Sequence, residues 1–265
     1  VNCAAYPSRS SDHKRQSFPL GRVDGQPQVK IRQRRVRCMI SLTLVSSILS
    51  FAAGMPRAAV AAPANVGDVA AAAMAYHDSG SYDRDFRSVI QEASEWVRLR
   101  AGHVSKPAIV LDIDETSLSN WPEIAANHFA YFREGPCDAL PEGPCGVDTW
   151  EKTAQAKAFA GTLSLYAQAR QHGVAVFFVT GRYENEREAT ALNLETAGYR
   201  DWAGLVLRED GSHTASAADY KTPARARIEQ DGYRIIANIG DQPSDLAGGH
   251  AERGFLLPNP FYRVP

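Results

Sequence analysis

From Ser81 to Ala101 the apolar residues Phe86, Val89, Ile90, Ala93 and Val97 recur at three- and four-residue spacing, which predicts an amphipathic helix packed on the body of the protein. After Lys106-Pro107 the period changes. Ala108-Ile109-Val110-Leu111 is apolar at every position and ends on Asp112, as expected of a strand buried on both faces of a parallel sheet. The same type of strand is predicted at Val174–Val179, Gly204–Leu207 and Ile235–Ile239. Helical patterns lie between them. Residues 154–172 carry Phe159, Leu163, Tyr166 and Ala167 on one face and stop before Gly173, while 184–197 stop before Gly198 and 222–231 before Gly232. Alternating strands and helices predict an α/β fold of the Rossmann-like, doubly wound parallel type, whose ligands sit at the carboxyl ends of the strands.

One segment breaks this alternation. Residues 118–153, directly after the first strand, hold Trp121, Phe129, Tyr131, Phe132 and Trp150, and are read as a small cap insertion. It forms either a lid or specificity wall over the site or a purely structural excursion. The alanine-rich residues 69–75 are the single low-complexity tract, and no internal repeat is visible.

The N-terminal residues have a different character. Arg32, Arg34, Arg35 and Arg37 form a basic run, Met39–Ala53 is apolar and free of charge, and Ala59-Val60-Ala61 supplies the small residues of a cleavage site. Residues 1–61 are therefore read as an N-terminal extension and signal peptide cleaved after Ala61, leaving 62–265 as the mature, exported domain, periplasmic or secreted. An uncleaved anchor is the alternative, although Pro56, Arg57 and Pro63 interrupt the stretch, which is short for a membrane span. Residues 1–30 are a long lead for such a signal, as an upstream start codon would explain, and the residues flanking Arg34-Arg35 support a twin-arginine route poorly.

Composition narrows the partners. A net charge of −1 over 265 residues gives no global attraction to nucleic acid or to anionic membrane, so an anionic substrate must be drawn by charges inside a site. Of four cysteines, Cys3 and Cys38 fall in the removable part. The pair left in the mature chain, Cys137 and Cys145, brackets a Pro- and Gly-containing loop and is expected to form a local disulfide in an oxidising compartment. Half of a metal site is the rival reading, with no ligand partner at suitable spacing. His128 is a lone histidine in an apolar stretch and is read as structural.

Four short elements fall where strand ends are predicted. In Asp112-Ile113-Asp114-Glu115-Thr116, two carboxylates two residues apart at the end of a buried strand repel each other, and keeping both ionised calls for a hard divalent cation or strong hydrogen bonds; a helix cap or turn is the plainer use of such aspartates. Val179-Thr180-Gly181-Arg182 combines a hydroxyl with backbone N–H groups at an expected helix start, a corner suited to phosphate, though Thr-Gly is also an ordinary turn. Lys221, in Asp219-Tyr220-Lys221-Thr222-Pro223, is a cation at a helix start, where the dipole disfavours it unless it serves a ligand. Gly240-Asp241-Gln242-Pro243-Ser244-Asp245 offers a tight turn, a carboxylate aimed into the strand-end crevice, and in Asp245 a residue able to hold the loop or a metal's water shell. Each has a dull explanation; their order and placement are harder to dismiss.

Taken together these elements resemble the four signature motifs of haloacid dehalogenase superfamily phosphatases. Ser119-Asn120 and Tyr220-Lys221-Thr222-Pro223 with Arg227 and Glu229 are similar to the class B and C acid phosphatases, including plant vegetative storage proteins, and the likeness spans about residues 66–265. The resemblance implies a phosphoric monoester hydrolase with a bound Mg2+. It implies Asp112 as nucleophile and metal ligand, Asp114 as acid and base with its backbone carbonyl on the metal, and Asp241 completing the metal site. Thr180, Gly181 and Lys221 would hold the phosphoryl group, with Asp245 in support. The expected partner is a small phosphomonoester, with no nucleic-acid polymer, no membrane span after cleavage, and homo-oligomerisation left open. A phosphotransferase on the same fold and a non-catalytic storage or binding protein are the alternatives.

Overall fold

The structure, a computed structural model, describes residues 62–265; the signal segment expected over residues 1–61 lies outside them. Two helices come first, α1 (Val66–Asp78) and α2 (Ser81–Arg100), and lead into β1 (Pro107–Leu111). An insertion follows, made of β2 (Leu118–Ser119), α3 (Trp121–Ala126), α4 (Val147–Thr153) and β3 (Lys157–Ala158). The alternation then resumes as α5 (Ala160–Gln171), β4 (Ala175–Tyr183), α6 (Arg187–Thr196), β5 (Gly204–Arg208), α7 (Ala218–Gln230), β6 (Arg234–Gly240), α8 (Pro243–Leu246) and β7 (Gly254–Leu256).

The main sheet has the order β5-β4-β1-β6-β7 and is parallel throughout. Because β1 has a neighbour on each side and helices above and below, Ala108–Leu111 are all at most 2% exposed, which explains their unbroken apolar run. Side chains alternate between the two faces. Ile109 and Leu111 join the larger core with Phe86, Ile90 and Val97 of α2 and Leu165 of α5, whereas Ala108 and Val110 pack on the other face with Ile228 of α7. The sheet is thus covered on both sides, as the strand pattern predicts.

Several elements differ from the sequence reading. The helix expected over 154–172 begins only at Ala160, because Lys157 and Ala158 pair antiparallel with Ser119 and Leu118 and close the base of the insertion. The helix expected over 222–231 opens at Ala218, so Pro223 lies inside it and Lys221 in its first turn; Pro223 has no N–H to return to the preceding turn. The alanine-rich tract belongs to α1, capped by the Asn65 side chain on Gly67 N at 2.9 Å.

Within the insertion Cys137 and Cys145 form a disulfide with Cα atoms 4.3 Å apart. Beside it the Asn127 amide clamps the Cys145 backbone, donating to its carbonyl at 2.8 Å and accepting from its N–H at 2.9 Å. His128 and Phe129, at positive φ of 49° and 65°, turn the chain between α3 and this loop. Thiol titration of the unfolded, unreduced protein spanning 62–265 is expected to find no free cysteine. Replacing both by serine is expected to lower unfolding stability by at most about 2–3 kcal/mol, the size set by so short a closed loop; two free thiols in that unfolded, unreduced protein would refute the bridge.

Candidate active site

The site is built where β1, β4 and β6 end. Asp112 extends the ladder past β1, its N–H bonded to Ile239 O at 2.9 Å, and the chain then turns sharply. The Ser117 hydroxyl donates to Asp112 O at 2.6 Å, the N–H groups of Ser117 and Leu118 both reach Ile113 O at 2.8 Å, and Glu115 adopts a left-handed φ of 50°. This turn holds Asp112 and Asp114 in different surroundings.

Asp112 is buried and faces Lys221, whose ammonium is paired with its Oδ1 and with Asp245 Oδ1 at 2.6 Å. Carboxylate oxygens of Asp112, Asp241 and Asp245 lie within 4.8 Å of one another. Three carboxylates and one lysine leave an excess of negative charge. Burial pushes the Asp112 carboxyl well above its ordinary value against the pull of Lys221, and burial together with Asp245 pushes Asp241 up to about 6. A hard divalent cation among these oxygens would remove that excess, so the donor set fits one.

Asp245 has two duties. Its Oδ2 accepts from Gln242 N at 2.9 Å, which caps the short α8, while Oδ1 serves Lys221. Its side chain lies so close to Gly240 that a Cβ there would come within 2.4 Å of Oδ2, which accounts for glycine. The Asp241 carboxylate is held by Gln242 Nε2 and Asn259 Nδ2, each at 2.6 Å, and by the Thr116 hydroxyl at 3.3 Å.

The Asp114 side chain turns the other way. It accepts from Arg182 Nη2 at 2.7 Å and from Asn120 Nδ2 at 2.9 Å, outside the carboxylate cluster. Burial works to raise this carboxyl, but Arg182 and Asn120 outweigh it and hold the group below its usual value. Neighbouring Glu115 receives N–H bonds from Asn120 and the Tyr262 hydroxyl at 2.8 Å; burial and Asp114 raise it to about 8.

Gly181 shares a cleft with this pair and, with Thr180, lies in a stretch where the β4–β5 register shifts between Val179 and Tyr183. The strand runs on to Tyr183, rather than ending at Val179 as expected, and α6 starts only after a short 3-10 turn at Glu184–Glu186. Thr180 Oγ1 accepts from Arg182 N at 3.1 Å, and a Cβ on Gly181 would sit 2.8 Å from the Tyr220 hydroxyl. A cleft of about 420 Å³ opens beside Asp114, Gly181 and Arg182, walled by Phe129, Tyr131 and Trp150 of the insertion and by Tyr220 and Tyr262.

The comparisons with known proteins fit this arrangement. Residues 40–265 match the family described as HAD superfamily, subfamily IIIB (acid phosphatase). The chain belongs to this family of acid phosphatases. It is 34% identical over 185 residues to Acid phosphatase 1 of Solanum lycopersicum, 69% of each chain. It is also 34% identical to the stem 28 kDa glycoprotein of Glycine max, covering 71% of this chain and 72% of the relative, and 30% identical to vegetative storage protein 1 of Arabidopsis thaliana, covering 71% and 67%. The class C acid phosphatase from Bacillus anthracis superposes with a TM-score of 0.58 at 22% identity, over 74% of this chain and 85% of that one, a likeness of fold. This acid phosphatase is accordingly an enzyme of the phosphoric monoester hydrolase class.

The structure brings together Asp112, Lys221, Asp241 and Asp245, with Asp114 and Gly181 lining the adjoining cleft, while Thr180 is buried with its hydroxyl bonded to Arg182 N. It also brings in residues that sequence reading passed over. Arg225, one turn after Lys221, is fully buried and donates to the carbonyls of Asp245 at 2.7 Å, Ala247, and Gly249 at 3.0 Å, fastening the loop after β6. Arg227 is exposed, and Glu229 pairs with His250 at 2.7 Å away from the site. Helical spacing from Lys221 is the signal that would have pointed to Arg225.

Glu123 of α3 lines the same cleft and is 5% exposed; burial raises its carboxyl from 4.5 to about 7, against the pull of the Asn127 amide. A carboxyl raised on folding binds its proton more tightly in the native state, so its contribution is fully present below pH 4.5 and lost as pH rises through about 7. Glu123→Gln is expected to remove this loss. Urea unfolding across that window should show wild-type stability falling relative to the variant, and parallel curves would contradict the assignment.

Proposed function

We propose that this acid phosphatase is an exported, Mg2+-dependent enzyme that hydrolyses small phosphomonoesters through an aspartyl phosphate on Asp112. The observation that carries the reading is the opposite placement of two carboxylates from one turn, Asp112 against Lys221 and the carboxylate cluster, Asp114 against Arg182 and Asn120. Divided environments suit divided roles. Mg2+, held by Asp112, Asp241 and the Asp114 backbone carbonyl, would offset charge between Asp112 and a phosphate dianion.

In the first step a carboxylate oxygen of Asp112 attacks phosphorus in line as the ester P–O bond breaks. Asp114 gives its proton to the departing alkoxide. Arg182 and Asn120 favour the ionised form in the free enzyme, so this proton is taken up from solvent as the substrate binds and its dianion adds negative charge beside Asp114. In the second step Asp114 takes a proton from water, which attacks phosphorus and releases phosphate and the Asp112 carboxylate. The Thr180 hydroxyl, the Gly181 N–H and the Lys221 ammonium hold the equatorial oxygens through both steps, and Asp245 keeps Lys221 aimed at them. Relatives named as vegetative storage proteins raise the alternative of a fold kept without turnover, which the intact Asp112, Asp114 and Lys221 disfavour.

Export is supported by the disulfide and by the basic-then-apolar pattern ahead of Ala61; no helix among the described residues is long and apolar enough to cross a membrane. A mature N-terminus sequenced at Ala62 would verify the cleavage.

Chelation is expected to abolish phosphate release and Mg2+ to restore it, and full turnover in metal-free protein would remove the metal from the scheme. Rapid-quench kinetics test the covalent step. Asp112→Asn should abolish turnover of every substrate. Asp114→Asn should still give a burst of phenol from an aryl phosphate, whose leaving group needs no proton, and then stall as the aspartyl phosphate. Phosphate found on another residue, or substantial turnover by Asp112→Asn, would refute the scheme. Adding an acceptor alcohol separates hydrolysis from phosphotransfer.

A further inference from the structure

Both groups that hold the Asp114 carboxylate are themselves held by the insertion. Asn120 is 7% exposed, and while its Nδ2 donates to Asp114 its Oδ1 accepts from the indole Nε1 of Trp150 at 2.8 Å. The side chain of Arg182 is 1% exposed, and while its Nε and Nη2 donate to Asp114 its Nε lies 3.8 Å from Glu151 Oε1. Trp150 and Glu151 are consecutive residues of α4. Their side chains leave the helix about 100° apart, so one reaches Asn120 and the other Arg182, and Asp114 is braced from two directions by one turn of helix.

That turn is firmly seated. Trp150 N donates to Gly146 O at 2.8 Å, directly after Cys145, which the disulfide ties to Cys137 and the Asn127 clamp to the end of α3. Near Glu151, Glu186 accepts from Tyr183 N at 2.9 Å through Oε2, next to the Thr180–Arg182 stretch, while its buried Oε1 has no hydrogen-bond partner. Without Trp150, Asn120 would keep a buried carbonyl oxygen unpaired and could turn its amide away from Asp114. Without Glu151, Arg182 would lose the neighbour that sets its approach.

We infer that Trp150 and Glu151 are positioning residues for Asp114, through which the insertion aligns the carboxyl that transfers the proton. This rests on the role given to Asp114 above. Proton transfer is sensitive to alignment, whereas attack by Asp112 on an ester with a weakly basic leaving group does not use Asp114. A purely structural role would slow all substrates alike.

The test is single-turnover formation of the phosphoryl-enzyme, by rapid quench with Mg2+ present, for one alkyl and one aryl phosphate. Trp150→Phe and Glu151→Ala are each expected to slow the alkyl reaction about 10- to 100-fold, part of what acid–base catalysis supplies, while the aryl reaction changes less than about threefold and KM holds. Glu151→Gln, which keeps an oxygen facing Arg182, should recover most of the loss. In an Asp114→Asn background neither substitution should slow the reaction further. Equal losses for both substrates in variants that unfold at the wild-type temperature, or losses that persist with Asp114→Asn, would overturn the inference and leave the proposed mechanism standing. A wild-type enzyme that forms no phosphoryl-enzyme would bring down both. If Trp150→Phe fails to fold, the two Glu151 variants carry the comparison.

Discussion

Lys221 is shared by Asp112 and Asp245, and the need to keep that ammonium among buried carboxylates governs the geometry around the end of β1. Burial works against the charge on lysine, yet the two carboxylates overcome it and raise its proton affinity, so the cation persists without water around it. Removing Lys221 would leave the buried carboxylates without their counter-charge, an expensive state. The neighbouring structure serves this requirement. Arg225 fastens the loop that carries Asp245, Asn238 Nδ2 adds a bond to the Asp245 carbonyl at 2.9 Å, and Gly240 leaves room for the Asp245 side chain.

The turn after β1 makes a second arrangement possible. Asp112 belongs to the sheet through its bond to Ile239, while Asp114 belongs to the insertion through Asn120 and to β4 through Arg182. One carboxylate therefore depends on the rigid core and the other on a peripheral segment. The conformational demands on the two are separable, although they stand two residues apart.

Much of this could be read from the chain. Apolar runs located β1, β4 and β6 because strands buried on both faces leave few polar positions, and Asp112 and Asp241 follow β1 and β6; β5, at the sheet edge, is mostly half-buried and was located by its apolar run all the same. The helix α1 escaped because alanine gives little amphipathic contrast, and Ala73 alone among its residues is buried. The start of α7 was misplaced because Pro223 reads as a first-turn residue, whereas here it follows a complete first turn. The roles of Trp150 and Glu151 depend on contacts 30 residues back to Asn120 and 31 ahead to Arg182, which local periodicity cannot register. Arg225 was hidden by similar arginines in one helix, and only tertiary burial separates it from Arg227.

The strand order has a consequence for how the chain is made. β1 is synthesised first and lies at the centre, yet its two neighbours are β4 at Ala175–Tyr183 and β6 at Arg234–Gly240. Until the second of these has left the ribosome, the most apolar strand in the sheet has at least one open edge, a template for unwanted pairing. The amphipathic α2, made just before β1 and packed in the same core, can cover one face of it from the start, and α5 can join it before β4 is made. Translation or translocation paused between the two partners would therefore expose the nascent chain to aggregation long before any part of the catalytic centre could close.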